Sequence, residues 1–149
     1  MTPAKSESVQ FFVPCDPTLR YFYSVEIHPT EESMHRAIAR LRGRRPTRND
    51  LSAKAVCLRF KLETDNKKLQ RKHDQLGTLY FVQGQFTPDE AVHELVHAAI
   101  GWAKRVRIDP RKQSDDYANC PEERFARTLQ FMHLQFFQCL NRINQTVVT

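Results

Sequence analysis

The sequence predicts an α+β fold: a small mixed sheet packed on an N-terminal helix and two C-terminal helices. Three observations carry this expectation. Short aromatic and β-branched runs fill the first half: "VQFFVP", "LRYFYSVEIH", "AVCLRFKLE" and "GTLYFV". A single helix start, at Thr30, interrupts them. The remainder holds two segments with helical start signals, so the element order reads β-β-α-β-β-α-α. At 149 residues the chain fits one domain, 1–149, with a core of its own.

Taken in order, residues 1–10 are expected to be flexible. "VQFFVP" and "LRYFYSVEIH" then read as strands split by the Pro14–Pro17 stretch. Thr30 is placed to cap a helix whose first turn carries Glu31 and Glu32, with Met34, Ile38 and Leu41 as apolar stripe and Gly43 as stop. Residues 43–54 are polar and turn-rich, an exposed basic loop. The strand Ala55–Glu63 alternates cleanly, with Val56, Leu58, Phe60 and Leu62 on one face and Cys57, Arg59, Lys61 and Glu63 on the other. Residues 64–76 form a second exposed basic segment, and Gly77–Val82 reads as the next strand. Thr87-Pro88-Asp89-Glu90 combines an N-cap, a proline at the first helical position and a glutamate three residues after the cap, so a helix runs from there to about Val106. The last helix starts at or near Pro121 and continues to Ile143.

The net charge is +6, and the excess sits in "RAIARLRGRRPTR" and "KKLQRKH". Clusters of this kind attract phosphate backbones or acidic proteins, and they equally make a solvated face. Arg42, Arg44 and Arg45 are the residues assigned to such a surface. No nucleic-acid-binding signature accompanies them. No apolar run is long enough to cross a bilayer and "MTPAKSESVQ" has no signal-peptide core, so no membrane partner is expected and the cytoplasm is the expected location. The four cysteines are widely spaced with no C-x-x-C, which reads as reduced thiols, with a disulfide or a structural zinc cluster as the alternative.

The chemistry-bearing stretch is "VHELVHAA". On a helix, His93 and His97 lie one turn apart on one face, and Glu94 sits beside them. Two imidazoles so placed can hold one zinc ion, while the carboxylate reaches a water on that ion and accepts its proton. Ala91, Val92, Leu95, Val96, Ala98, Ala99, Ile100, Trp102 and Ala103 surround nearly the whole helix, so the polar trio is expected to be buried. A metal-free helix with a hydrogen-bonded trio is the competing reading. Gly101, near the angular position of Glu94, leaves space beside the metal or lets another backbone pass.

A third ligand is needed. A histidine in the form H-E-x-x-H-x-x-G-x-x-H fails, because position 103 is Ala103. Glu122 and Glu123, in the first turn of the last helix, are the candidates. Helical phase favours Glu122, which lies in line with Phe125, Leu129, Met132 and Phe136. Acidic residues there also serve the helix dipole. Tyr80, Tyr117 and His133 are read as structural and receive no catalytic role.

"VHELVHAA" followed at this distance by "EERFA" resembles the gluzincin arrangement, in which a glutamate on the next helix completes an H-E-x-x-H site. Glu123-Arg124-Phe125-Ala126 is similar to the E-x-x-A segment around that ligand, and on this resemblance Glu123 is preferred, with Glu122 as the alternative. The element order resembles minimal zincin domains, including ImmA/IrrE-like peptidases and small phage-encoded relatives. Arg124 stands where the ImmA/IrrE glutamate is usually followed by alanine. The resemblance implies a minimal zincin-like fold and a Zn2+-dependent metallopeptidase-type hydrolase, with a water on the zinc activated by Glu94 to attack a peptide carbonyl. The expected partner is a protein or peptide, bound by β-addition along "GTLYFV" as the sheet edge. The alternative function is a catalytically silent zincin-fold module that binds nucleic acid or an acidic protein through its basic surface. Oligomeric state is not read from the sequence.

Overall fold

The computed structural model describes residues 8–43, 45, 54–60 and 74–148, with side chains to residue 144. Four strands and three helices follow the expected order: β1 Val9–Pro14, β2 Phe22–His28, α1 Glu31–Arg42, β3 Ala55–Arg59, β4 Gln75–Val82, α2 Pro88–Arg105 and α3 Pro121–Val148. The architecture is α+β. The sheet has the order β1-β2-β4-β3. β2 and β4 run parallel, while β1 and β3 flank them antiparallel.

Local chemistry sets the element ends. Thr30 accepts a hydrogen bond from the Ser33 amide and Gly43 closes α1 in the left-handed region at φ 68°. A second tie, 2.8 Å between His28 Nδ1 and Ser33 Oγ, fastens the first turn of α1 to the end of β2. At α2 the capping box is complete: the Glu90 amide donates to Thr87 Oγ1 (3.2 Å), and the Thr87 amide donates to Glu90 Oε1 (3.3 Å). β2 starts later than expected. The Asp16 side chain and carbonyl take the Thr18 and Leu19 amides, and the resulting turn puts Leu19 at φ 60° instead of in an extended strand.

Both faces of the sheet are covered. α1 packs on β2 and β4, where Met34, Ala37 and Ile38 meet Tyr80 and Val82. Leu41 falls outside that contact and is exposed. On the other face α2 covers β3 and β4, and α3 lies on β1 and against α2. Val13, Tyr23, Val25, Leu79, Phe81, Leu95, Met132 and Phe136 form that larger core. The alternation read in β3 holds over the described residues: Val56 and Leu58 pack against the α1 cluster, and Cys57 packs against the α2 core.

Several expectations are corrected. β4 is an interior strand, because β2 pairs on one side of it and β3 on the other, so the sheet edges are β1 and β3. Val9 and Gln10 belong to β1 instead of a flexible terminus, since they pair with Ile27 and Glu26. Gln75 and Leu76 belong to β4 instead of the second basic loop. Most of that loop and of 43–54, Arg44 included, lies outside the described residues, as does the expected continuation of β3 beyond Phe60. α3 runs past Ile143 to Val148. Among the described residues no helix is long and apolar enough to cross a membrane.

Gly77 is a packing requirement. A Cβ there would stand 2.2 Å from the Leu58 carbonyl oxygen, 2.9 Å from Arg59 Cα and 3.0 Å from the Tyr23 ring. Two of these are backbone atoms of β3, so relief means moving the edge strand off β4. Gly77→Ala is expected to destabilise the fold by about 2 kcal/mol or more, measured as a lower urea midpoint. An unchanged midpoint contradicts this close approach.

Candidate functional site

α2 presents its functional residues because its apolar positions are uneven around the helix. Ala91, Leu95, Ala98, Ala99, Trp102 and Ala103 form one buried stripe toward the sheet and α3. His93 and His97 project nearly opposite that stripe and are exposed, and Glu94 at the flank is half-buried. The expected burial of the whole trio is therefore corrected. Val92, Val96 and Ile100 are half-buried shoulders of the stripe, not a second covered face.

The two histidines converge, with 3.1 Å between His93 Nε2 and His97 Nε2. At that distance one ring N–H donates to the lone pair of the other. Two Zn–N bonds of about 2.0–2.1 Å at a tetrahedral angle place the nitrogens about 3.3 Å apart, so this pair is nearly spaced for one ion. Partial burial, then the neighbouring charges of His93 and Arg59, lower the pKa of His97 and favour the neutral imidazole that a metal requires. By donor type and spacing, the pair matches two of the ligands a zinc site requires.

Glu94 points from the same helix toward the edge strand. Burial raises its carboxyl pKa above the usual carboxylate range; His93 and a hydrogen bond from the Cys57 backbone N–H oppose this, and Glu90 adds to it. The ladder explains why that N–H is free. Phe60 donates to Leu76 and Val82 donates to Lys54, so the even-numbered residues of β3 bond to β4 while Ala55, Cys57 and Arg59 direct their amides outward. Ala55, Val56, Cys57, Arg59, Glu94, His97 and Arg42 together line a cavity of about 390 Å³. Burial first, then the Glu94 carboxylate, push the Cys57 thiol up to about 12, with Arg59 opposing. At neutral pH it is a protonated thiol and a poor nucleophile.

Glu122 and Glu123 are not brought to the histidines. Among the described residues no group of three or more His, Cys, Asp or Glu side chains is placed to hold a metal. The first turns of α3 sit at the far end of α2, where Arg124, Arg127 and Thr128 share a cavity with Trp102. Trp102 lies five residues beyond His97 and nine beyond His93, about 7.5 and 13.5 Å along the helix at 1.5 Å per residue. Glu122 is instead exposed, accepting from Gln113 Nε2 at 3.1 Å, and Glu123 offers its carbonyl to Arg127 Nε. Tyr117 is 74% exposed in the α2–α3 loop, Tyr80 is buried on the α1 face, and the His133 ring meets Phe137 at a tilt. None of the three lines the Glu94 cavity. Of the basic surface, Arg42 lines the cavity and Arg45 is exposed.

Cys57 and Arg59 are the site residues the sequence reading left unassigned. The alternation of β3 placed them on one face. Which helix that face meets depends on the sheet order, and no local pattern encodes that. Gly101 was legible as a gap, but what fills it is two side chains: a Cβ there would lie 2.2 Å from Tyr23 Oη and 2.8 Å from Arg59 Cδ.

No protein-family model, curated protein or solved structure matches the chain.

The raised pKa of Glu94 has a consequence for stability. The folded protein favours its protonated form. That contribution is complete below the ordinary glutamate pKa of about 4.3 and is lost as pH rises through the higher folded value. Glu94→Gln stays neutral and keeps an oxygen for the Cys57 N–H. In the metal-free protein it is expected to raise Tm near pH 7, with the gain closing toward about pH 4. Differential scanning fluorimetry at the two pH values checks this; an equal gain at both contradicts the desolvation of Glu94.

Proposed function

We propose that the chain is a Zn2+-dependent hydrolase of peptides acting in the cytoplasm, a minimal zincin-like metallopeptidase. The observation that carries the reading is the convergence of His93 and His97 Nε2 at 3.1 Å beside a desolvated Glu94 on an open sheet edge. The H-E-x-x-H spacing and the resemblance to minimal zincin domains add support.

His93 and His97 would hold the ion. Zinc, when bound, supplies a Lewis acid that lowers the pKa of a coordinated water to about 7 and polarises a carbonyl. Glu94 acts as general base and then as acid. A raised carboxyl pKa suits both directions of proton transfer. The outward amides of β3, not β4, are the groups a peptide can pair with by β-addition. A substrate carbonyl that takes over the Cys57 N–H releases the Glu94 carboxylate to accept a proton.

A second reading keeps the fold without turnover, as a module whose basic surface, Arg42, Arg44 and Arg45 included, binds nucleic acid or an acidic protein. The two-histidine site favours it, because a catalytic zinc ordinarily has three protein ligands and Glu122 and Glu123 do not complete this one.

Zinc content and cleavage of a fluorogenic peptide library separate the two readings. The hydrolase reading expects zinc in the protein purified without chelator, lost in His93→Ala. Glu94→Gln should keep the zinc and lower kcat/KM by about 100-fold or more. Less than half an equivalent of zinc, or undiminished cleavage by Glu94→Gln, overturns it. The binding-module reading expects no cleavage by either protein and salt-sensitive DNA binding that weakens when the arginines are neutralised.

A further inference from the structure

The cavity beside Glu94 contains a cation whose position is built by two missing side chains. Arg59 ends the edge strand, opposite Gly77, and Gly77 in turn pairs with Tyr23 on β2. With no side chain at position 77, the Tyr23 ring and the start of Arg59 meet above the sheet, and a Cβ there would touch both. Gly101 on α2 faces them from above. A Cβ at Gly101 would lie 2.8 Å from Arg59 Cδ and 3.4 Å from its Cγ, so the arginine stem runs through space that Gly101 leaves open and that a side chain there would contest. The stem passes close to α2 while the residue as a whole is exposed.

This charge is directed into the site and is not spent there. Arg59 lines the same cavity as His97, Glu94 and Cys57, and its field reaches both His97 and Cys57. Glu94 is not its counter-ion, since burial dominates that carboxyl and the charge opposing it is His93. Among the described residues no carboxylate forms an ion pair with Arg59. Arg42 lines the cavity as well, so its charged rim is basic apart from Glu94.

We propose that Arg59 is a specificity residue that receives a carboxylate of the bound peptide, held beside the His93–His97 pair. A guanidinium presents two parallel N–H groups that match a carboxylate fork, which a neutral side chain or an amide cannot engage equally. The carboxylate comes either from the peptide C-terminus or from an aspartate or glutamate side chain. Calling this ligand a substrate rests on the hydrolase reading; carboxylate recognition itself does not.

The test is binding of short fluorescein-labelled alanine-rich peptides to the Glu94→Gln protein, with and without equimolar zinc, read by anisotropy. Three peptides are compared: one with a free C-terminus, its C-terminal amide, and an amide carrying one glutamate. Either anionic peptide is expected to bind about tenfold tighter than the neutral amide. Preference for the first identifies a terminal carboxylate, and preference for the third a side chain. Arg59→Met should abolish the preference and Arg59→Lys should keep part of it. Equal binding of all three peptides overturns the proposal on the unaltered Arg59, so a poorly folding variant cannot shield it. A preference that survives in a folded Arg59→Met protein overturns it too. If the wild-type protein cleaves neutral and anionic peptides alike, carboxylate recognition fails and the hydrolase reading stands. If Arg59-dependent binding is found and no peptide is cleaved, the reverse holds.

Discussion

The seating of α2 on the sheet through Tyr23 is the constraint on which the rest of the site depends. Tyr23 is fully buried on β2, with Gly77 beside its ring and Gly101 over its hydroxyl. Neither glycine is needed for an unusual backbone angle; both are needed because a side chain would collide. With both absent, α2 settles close over β3 and β4. Glu94 is thereby half-buried against the Cys57 amide, and Arg59 is threaded alongside. A helix standing farther from the sheet would lessen the burial that raises the Glu94 pKa.

The same helix divides its labour by angle. One stripe of alanines, Leu95 and Trp102 provides the stabilising burial, and the opposite side carries His93 and His97 in the open. Exposed imidazoles cost the fold little, and they stay accessible. Glu94 is the exception, a carboxylate placed where desolvation works against its charge. That arrangement costs some stability and leaves a carboxyl whose pKa is raised.

Much of this was legible in local sequence. Thr30 and Thr87 announced their helices because a side-chain oxygen before an acidic first turn has few other uses. The alternation of β3 and the i, i+4 spacing of the histidines were read correctly, since both follow from the periodicity of a single element. The failures share one cause. Interior versus edge strand, the exposed side of α2, and the distance from Glu122 and Glu123 to His97 all depend on how elements pack. Nine apolar residues around α2 promised burial on all sides, yet a four-stranded sheet with α3 covers one stripe and leaves the valines as shoulders. The spacing from His97 to the two glutamates is compatible with a hairpin, but the first turns of α3 end up beside Trp102. Arg59 was invisible for the same reason, because its partner glycines come from β4 and α2.

The central claim is that His93 and His97 form one metal-binding unit. Titrating Zn2+ into the chelator-treated protein, and following the imidazole signals by NMR, tests it most directly. Their ring nitrogens are expected to shift together and saturate at a single equivalent, while His28, His35 and His133 stay unmoved. Independent responses of the two rings, or none at micromolar zinc, would contradict it.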